Sequence, residues 1–263
     1  MQRVQAELQT FVTDVSDFGF EMSVLSILRQ MGFACRHSGT YEDPVTQKIR
    51  EFDLRADKAD DRNRLLLAVE CKNIRTNLLV SAVPRTSDEA FHNIIKLRQG
   101  SVFGFRELLH IEAGRSVYKI GDMVGKRTDQ VVWKEDKLVS DDSTTFDKIN
   151  QAISSSHDLV KRALYDASPP FLRAVLPVLV IPSGILWQVN YDQDGRVIQE
   201  PHRVKETTVF RDHTWSVTYD RVPVPYRISH LHIVTADHLK TAAEHWLGSE
   251  GFVGGVSLIS AKL

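Results

Sequence analysis

Residues 65–69, LLLAV, constrain this chain more than any other stretch, because they are continuously apolar and end abruptly in Glu70, Cys71 and Lys72. An apolar run without alternation predicts a strand buried on both faces, which requires cover on either side of a sheet. Side chains two apart on a strand share a face, so Glu70 and Lys72 project together while Cys71 points away with Val69. Residues 49–56 predict a second, alternating strand, with Phe52 and Leu54 on one face and Glu51, Asp53 and Arg55 on the other. Two adjacent antiparallel strands can thus deliver an aspartate, a glutamate and a lysine to the end of an apolar sheet. Burying unpaired charges costs roughly several kcal/mol each. A divalent cation held by the two carboxylates would offset that cost.

Ahead of these strands, the first 32 residues read as helix, in two parts around Phe18-Gly19-Phe20, with Gly32 as the stop. Glu21 shares a helical face with Phe18, Val24, Leu25 and Leu28. A carboxylate within a core-facing stripe suits a residue reaching under the sheet towards the same metal centre; the plain alternative is a glutamate snorkelling at the stripe's edge. Hard oxygen donors without clustered His or Cys point to Mg²⁺ or Mn²⁺ and away from zinc. Of ten histidines, His230 and His232 merely alternate on a strand, and His157 and His245 read as helix-surface residues. Carboxylate-held Mg²⁺ beside a lysine suits phosphodiester hydrolysis, because the cation lowers the pKa of an attacking water and the ammonium positions that water or stabilises developing charge.

The remaining sequence sets the frame. Its 263 residues, 42% hydrophobic and 25% charged, fit one elaborated globular domain. The two cysteines, Cys35 and Cys71, lie in apolar segments and read as thiols of a reducing compartment, Cys71 as core filler. No apolar run approaches signal-peptide or membrane-span length, so a cytoplasmic protein without a membrane partner is expected. A net charge of −1 is not that of a non-specific nucleic-acid binder. Nucleic-acid contact would need a local patch or a protein partner that supplies grip, and a homo-oligomer is compatible with this composition.

Residues 76–141 read as an insertion, with a helix-like stretch at 88–98 and a turn at Gly125-Lys126-Arg127-Thr128. Lys126 and Arg127 are the candidates there for holding a phosphate, although a plain turn needs no further explanation and is the favoured reading. A helix follows over residues 143–166, ended by Pro169-Pro170, and carries Gln151 and Ser155 one turn apart. Strands are expected at 175–181, 204–210 and 231–235, a hairpin across Asp192-Gln193-Asp194, and a last helix at 236–247. With the insertion set aside, the order is αβββαβ plus a β-rich C-terminal extension over 183–263.

The segment REFDLRA, the E-C-K of LLLAVECKN and the Glu-bearing helix before them resemble the PD-(D/E)XK nuclease superfamily, in its Mrr and Holliday-junction-resolvase flavour. Phe52 stands where the motif has its proline. The resemblance implies an α/β, restriction-endonuclease-like core with a mixed central sheet flanked by helices, over about residues 15–75 and 142–182. It implies that Asp53 and Glu70 bind Mg²⁺ or Mn²⁺, that Lys72 is the catalytic lysine and that Glu21 assists. Gln151 and Ser155 stand where nucleases of this class often place an additional polar active-site residue, and Gln151 joins Lys126 and Arg127 as a candidate nucleic-acid contact, although ordinary solvated helix polarity accounts for the pair equally well. The activity expected is cleavage of nucleic acid, DNA favoured over RNA, in a defence or repair setting. The rival expectation is a non-catalytic, nucleic-acid-binding subunit that keeps the fold inside a larger assembly.

Overall fold

The computed structural model describes residues 2–14, 16–59, 63–86, 93–99, 106–113, 119–140, 143–165, 172–219 and 221–248. Helices α1 (Gln2–Asp14) and α2 (Asp17–Gln30) lead into strands β1 (Ala34–Glu42), β2 (Ile49–Ala59), β3 (Asn63–Cys71) and β4 (Asn77–Pro84). Strands β5 (Asn93–Gln99), β6 (Arg106–Ala113), β7 (Met123–Lys134) and β8 (Lys137–Ser140) precede helix α3 (Ser143–Tyr165). Then come β9 (Leu172–Ile181), β10 (Leu186–Tyr191), β11 (Val197–Arg203), β12 (Glu206–Tyr219), β13 (Val222–Thr235) and α4 (Leu239–Leu247). The protein is mixed α/β, with one mixed sheet in the order β1-β2-β3-β9-β13-β12-β7-β4-β10-β11; β5 and β6 branch from β9, and β8 from β7.

Strand β3 sits inside this sheet, antiparallel to β2 and parallel to β9, with Leu65 opposite Ala174 and Leu66 opposite Val175. Its alternate side chains fill different cores, as an unbroken apolar run requires. Leu65, Leu67, Val69 and Cys71 pack with Val24, Leu25 and Leu28 of α2 and Trp246 of α4. Leu66 and Ala68 pack with Ile149, Ala152, Ile153 and Val160 of α3 on the opposite face. Helix α3 therefore covers one face of the β3–β9 pair, and α2 with α4 the other. No helix among the described residues is long and apolar enough to cross a membrane.

The structure corrects several expectations. The break in the leading helix falls at Ser16 and not at Phe18-Gly19-Phe20: the Ser16 hydroxyl accepts the Phe18 N–H at 3.2 Å, while Gly19 lies within α2. That cap outweighs one helical glycine. Within the helix-like stretch, residues 93–99 form a strand paired with β6 and β9, and residues 88–92 lie outside the described residues, as does Pro169-Pro170. The adjoining Ile94 and Ile95 are β-branched, and sheet pairing satisfies this segment's backbone. Gly125-Lys126-Arg127-Thr128 is strand rather than turn, part of β7 between β4 and β12. A Cβ at Gly125 would stand 2.5 Å from Val80 Cγ1, so glycine permits the close approach of β4. His157 is half-buried rather than on the helix surface, its ring stacked on Tyr226 at 5.4 Å and beside Trp215 at 5.1 Å.

Candidate active site

Asp53 and Glu70 come together at the end of β3. The β2–β3 register places Leu54 opposite Val69, and one further step places Asp53 opposite Glu70. The Cys71 N–H donates to Asp53 Oδ2 at 2.8 Å, which fixes the aspartate against the end of β3. Between the two carboxylates stands an ammonium from α3: Lys148 Nζ is 3.0 Å from Asp53 Oδ2 and 3.2 Å from Glu70 Oε2. The Glu70 side chain is fully buried, and its Oε1 has no hydrogen-bond partner.

Burial is the main cause of the electrostatics here. It raises the Glu70 carboxyl well above the usual glutamate range, and the neighbouring Asp53 raises it further while Lys148 opposes both. Burial alone would depress the Lys148 ammonium, but Glu70 and Asp53 outweigh it and push it above the ordinary lysine value. The Cys71 thiol is raised by burial and then by Asp53, Glu21 and Glu70. Tyr41 is raised likewise by burial and by Glu70.

Lys72 and Glu21 take other partners. Lys72 Nζ donates to Asp17 Oδ2 at 3.0 Å, and Asp17 Oδ1 accepts the Asn73 N–H at 2.9 Å, tying the start of α2 to the segment that leaves β3. Glu21 Oε2 lies 3.0 Å from His37 Nε2, with both side chains largely buried. Glu21 thus approaches from the α2 side, within electrostatic range of Cys71, whereas Lys148 reaches the carboxylates from the α3 side. Gln151, three residues beyond Lys148, donates from Nε2 to the Glu51 carbonyl at 2.6 Å and anchors α3 to β2. Lys126 and Arg127 lie on β7, four strand spacings or about 19 Å from β3, and do not join the carboxylates. Lys126 sits 4.2 Å from the centre of the Phe210 ring, and Arg127 Nε donates to Asp129 at 2.7 Å.

Three members of this neighbourhood escape a reading of strands alone. Lys148 carries a usable signal, since it precedes Gln151 by three residues and Ala152 by four and so borders the buried face of α3. Asp17 follows the capping Ser16, a position that favours an acidic residue whatever it contacts. His37 carries no signal of its own. Among the described residues, no group of three or more His, Cys, Asp or Glu forms a site for a metal ion, so the centre is a pair of carboxylates. Comparison of the chain with family models, with curated proteins and with solved structures gives no match.

Proposed function

We propose that this chain is a metal-dependent nuclease of the restriction-endonuclease-like class, hydrolysing phosphodiester bonds, with DNA favoured over RNA. One observation carries the proposal: two carboxylates, one fully buried with an unpartnered oxygen, meet at the end of a buried strand. The surrounding order supports it. With β4 to β8 set aside, helix α2, the antiparallel run β1-β2-β3, helix α3 and the parallel strand β9 run in the αβββαβ order expected of that class.

The donor set fits Mg²⁺ or Mn²⁺, because Mg²⁺ is commonly held by one or two carboxylates with waters and phosphate oxygens completing its shell. Asp53 and Glu70 would hold it, with Glu70 Oε1 as the oxygen that now lacks a partner. Bound there, the cation supplies polarisation of the phosphoryl oxygen and a lowered pKa for the attacking water. The protein's own part is to hold the two carboxylates on adjacent strands and to bring up ammonium groups. Lys72 is the ammonium that the Glu-x-Lys spacing assigns to the attacked phosphate. Lys148, once released from the carboxylates, is a second one at the same end of the sheet.

A second reading has its own support. Lys148 already neutralises both carboxylates, and Lys72 is engaged by Asp17, as expected of a fold-keeping, non-catalytic nucleic-acid-binding subunit. Incubating the protein with plasmid, linear and single-stranded DNA and with RNA, in Mg²⁺, Mn²⁺ or EDTA, separates the two. Cleavage that needs the cation and is lost in Asp53→Ala and Lys72→Ala is the expected result. Binding without cleavage of any of the four would move the assignment to the second reading.

A further inference from the structure

Away from the carboxylate pair, a cavity of about 350 Å³ opens between α3 and strands β1, β2 and β3. Its walls carry Arg36, Arg55 and Arg162 together with the apolar side chains of Leu66 and Leu159. Arg55 is 7% exposed, and its Nη1 donates to Asp158 Oδ2 at 2.6 Å. Arg162 Nε donates to the same oxygen at 2.7 Å, so a single carboxylate serves two guanidinium groups. Arg36 lies with its guanidinium 5.7 Å from the Phe52 ring. Burial lowers the basicity of Arg55; Asp158 opposes this, and Arg162 and Arg36 add to it. Asp57, on the same wall, is bonded to Arg64.

Holding like charges around a partly closed cavity is unfavourable unless an anion enters. Guanidinium forks match the oxygens of phosphate, to which they donate short, charge-assisted hydrogen bonds. The volume lies within the range of small-molecule sites, and the apolar wall would suit the organic part of a ligand. We propose that this cavity binds a phosphate group on Arg36, Arg55 and Arg162, carried by a phosphate monoester of mononucleotide size or present as free phosphate. Asp53, Glu70 and Lys148 do not line this cavity, whose nearest proposed ligand, Arg55, stands two residues from Asp53 on β2, about 7 Å along the strand.

Titration calorimetry in EDTA at constant ionic strength, with adenosine 5′-monophosphate, inorganic phosphate and adenosine, tests the proposal. The monophosphate or phosphate should bind one to one with a Kd below about 1 mM, and adenosine should not bind. Tighter binding of the monophosphate identifies the monoester as the ligand, and equal binding identifies free phosphate. Arg36→Ala and Arg162→Ala, both at exposed side chains and so compatible with folding, should each weaken binding about tenfold or more. Asp53→Ala should leave it unchanged, so the result stands apart from the nuclease proposal. Absence of binding at millimolar ligand, binding insensitive to both arginine variants, or loss of binding in Asp53→Ala would overturn the proposal.

Discussion

At the scale of single residues, the carboxylate pair depends on Lys148. Removing its ammonium leaves Asp53 and a fully buried Glu70 facing one another. Lys148→Ala in EDTA should lose about 2 kcal/mol, less than the roughly 3–5 kcal/mol of a wholly buried pair because the lysine keeps some exposure. Mg²⁺ should restore most of that loss, as read from urea unfolding with and without the ion. Equal stability of variant and parent in EDTA would show that the ammonium does not bridge the pair. His157 supplies a pH test. Burial, then Lys161, pulls its pKa from 6.5 to about 4, so the unfolded chain takes up a proton that the folded chain refuses. The contribution of His157 to stability should therefore be lost as pH drops from about 6.5 to about 4, amounting to about 2–3 kcal/mol with allowance for the ring's partial exposure. His157→Phe should lose correspondingly less between pH 7 and pH 4.5 in urea titrations; parallel losses would refute the buried neutral ring. Asp53 and Glu70 were legible in the sequence because strand alternation sets them against apolar neighbours. The partners of Lys72 and Glu21 were not, because Asp17 and His37 meet them only through the packing of α2.

At the scale of elements, the α2-β1-β2-β3 order could be read because helical and strand periodicities change cleanly there. Residues 93–99 and 123–134 could not, since their pairing partners β9, β4 and β12 lie far away in sequence and decide the conformation. Strand β7 shows how tightly such a late addition is built. A Cβ at Gly125 would press on Val80 Cγ1 at 2.5 Å and Val209 Cγ2 at 3.1 Å, in the neighbouring strands β4 and β12. Gly125→Ala should cost about 1–3 kcal/mol through overpacking. Combined with Val80→Ala, it should cost less than the sum of the single changes, because the smaller side chain makes room for the new methyl. Strict additivity in urea unfolding would mean that the two strands are not in contact through this pair.

At the scale of the whole molecule, charge limits how nucleic acid can be held. Lys and Arg number 33 against 34 Asp and Glu, and many of the cations already have internal carboxylates. Arg50 pairs with Asp43, Arg55 with Asp158, Lys72 with Asp17, Arg127 with Asp129, and Lys148 with Asp53 and Glu70. A molecule of net charge −1 can gather few cations on one face, and each phosphate neutralised on duplex DNA adds about 0.9 to the slope of log affinity against log salt. The isolated chain should therefore bind duplex DNA weakly, with a slope of about −1 to −3. Ca²⁺ is the condition for this measurement: if the chain is the proposed nuclease, ligand bonds of about 2.3–2.6 Å, against 2.0–2.1 Å for Mg²⁺, would hold phosphate and water out of register and stop turnover. Fluorescence anisotropy over a salt series gives the slope directly. A slope steeper than about −6, with tight binding, would mean that one face gathers the basic residues. It would remove the need for a partner that supplies grip and leave the assignment of Asp53 and Glu70 untouched.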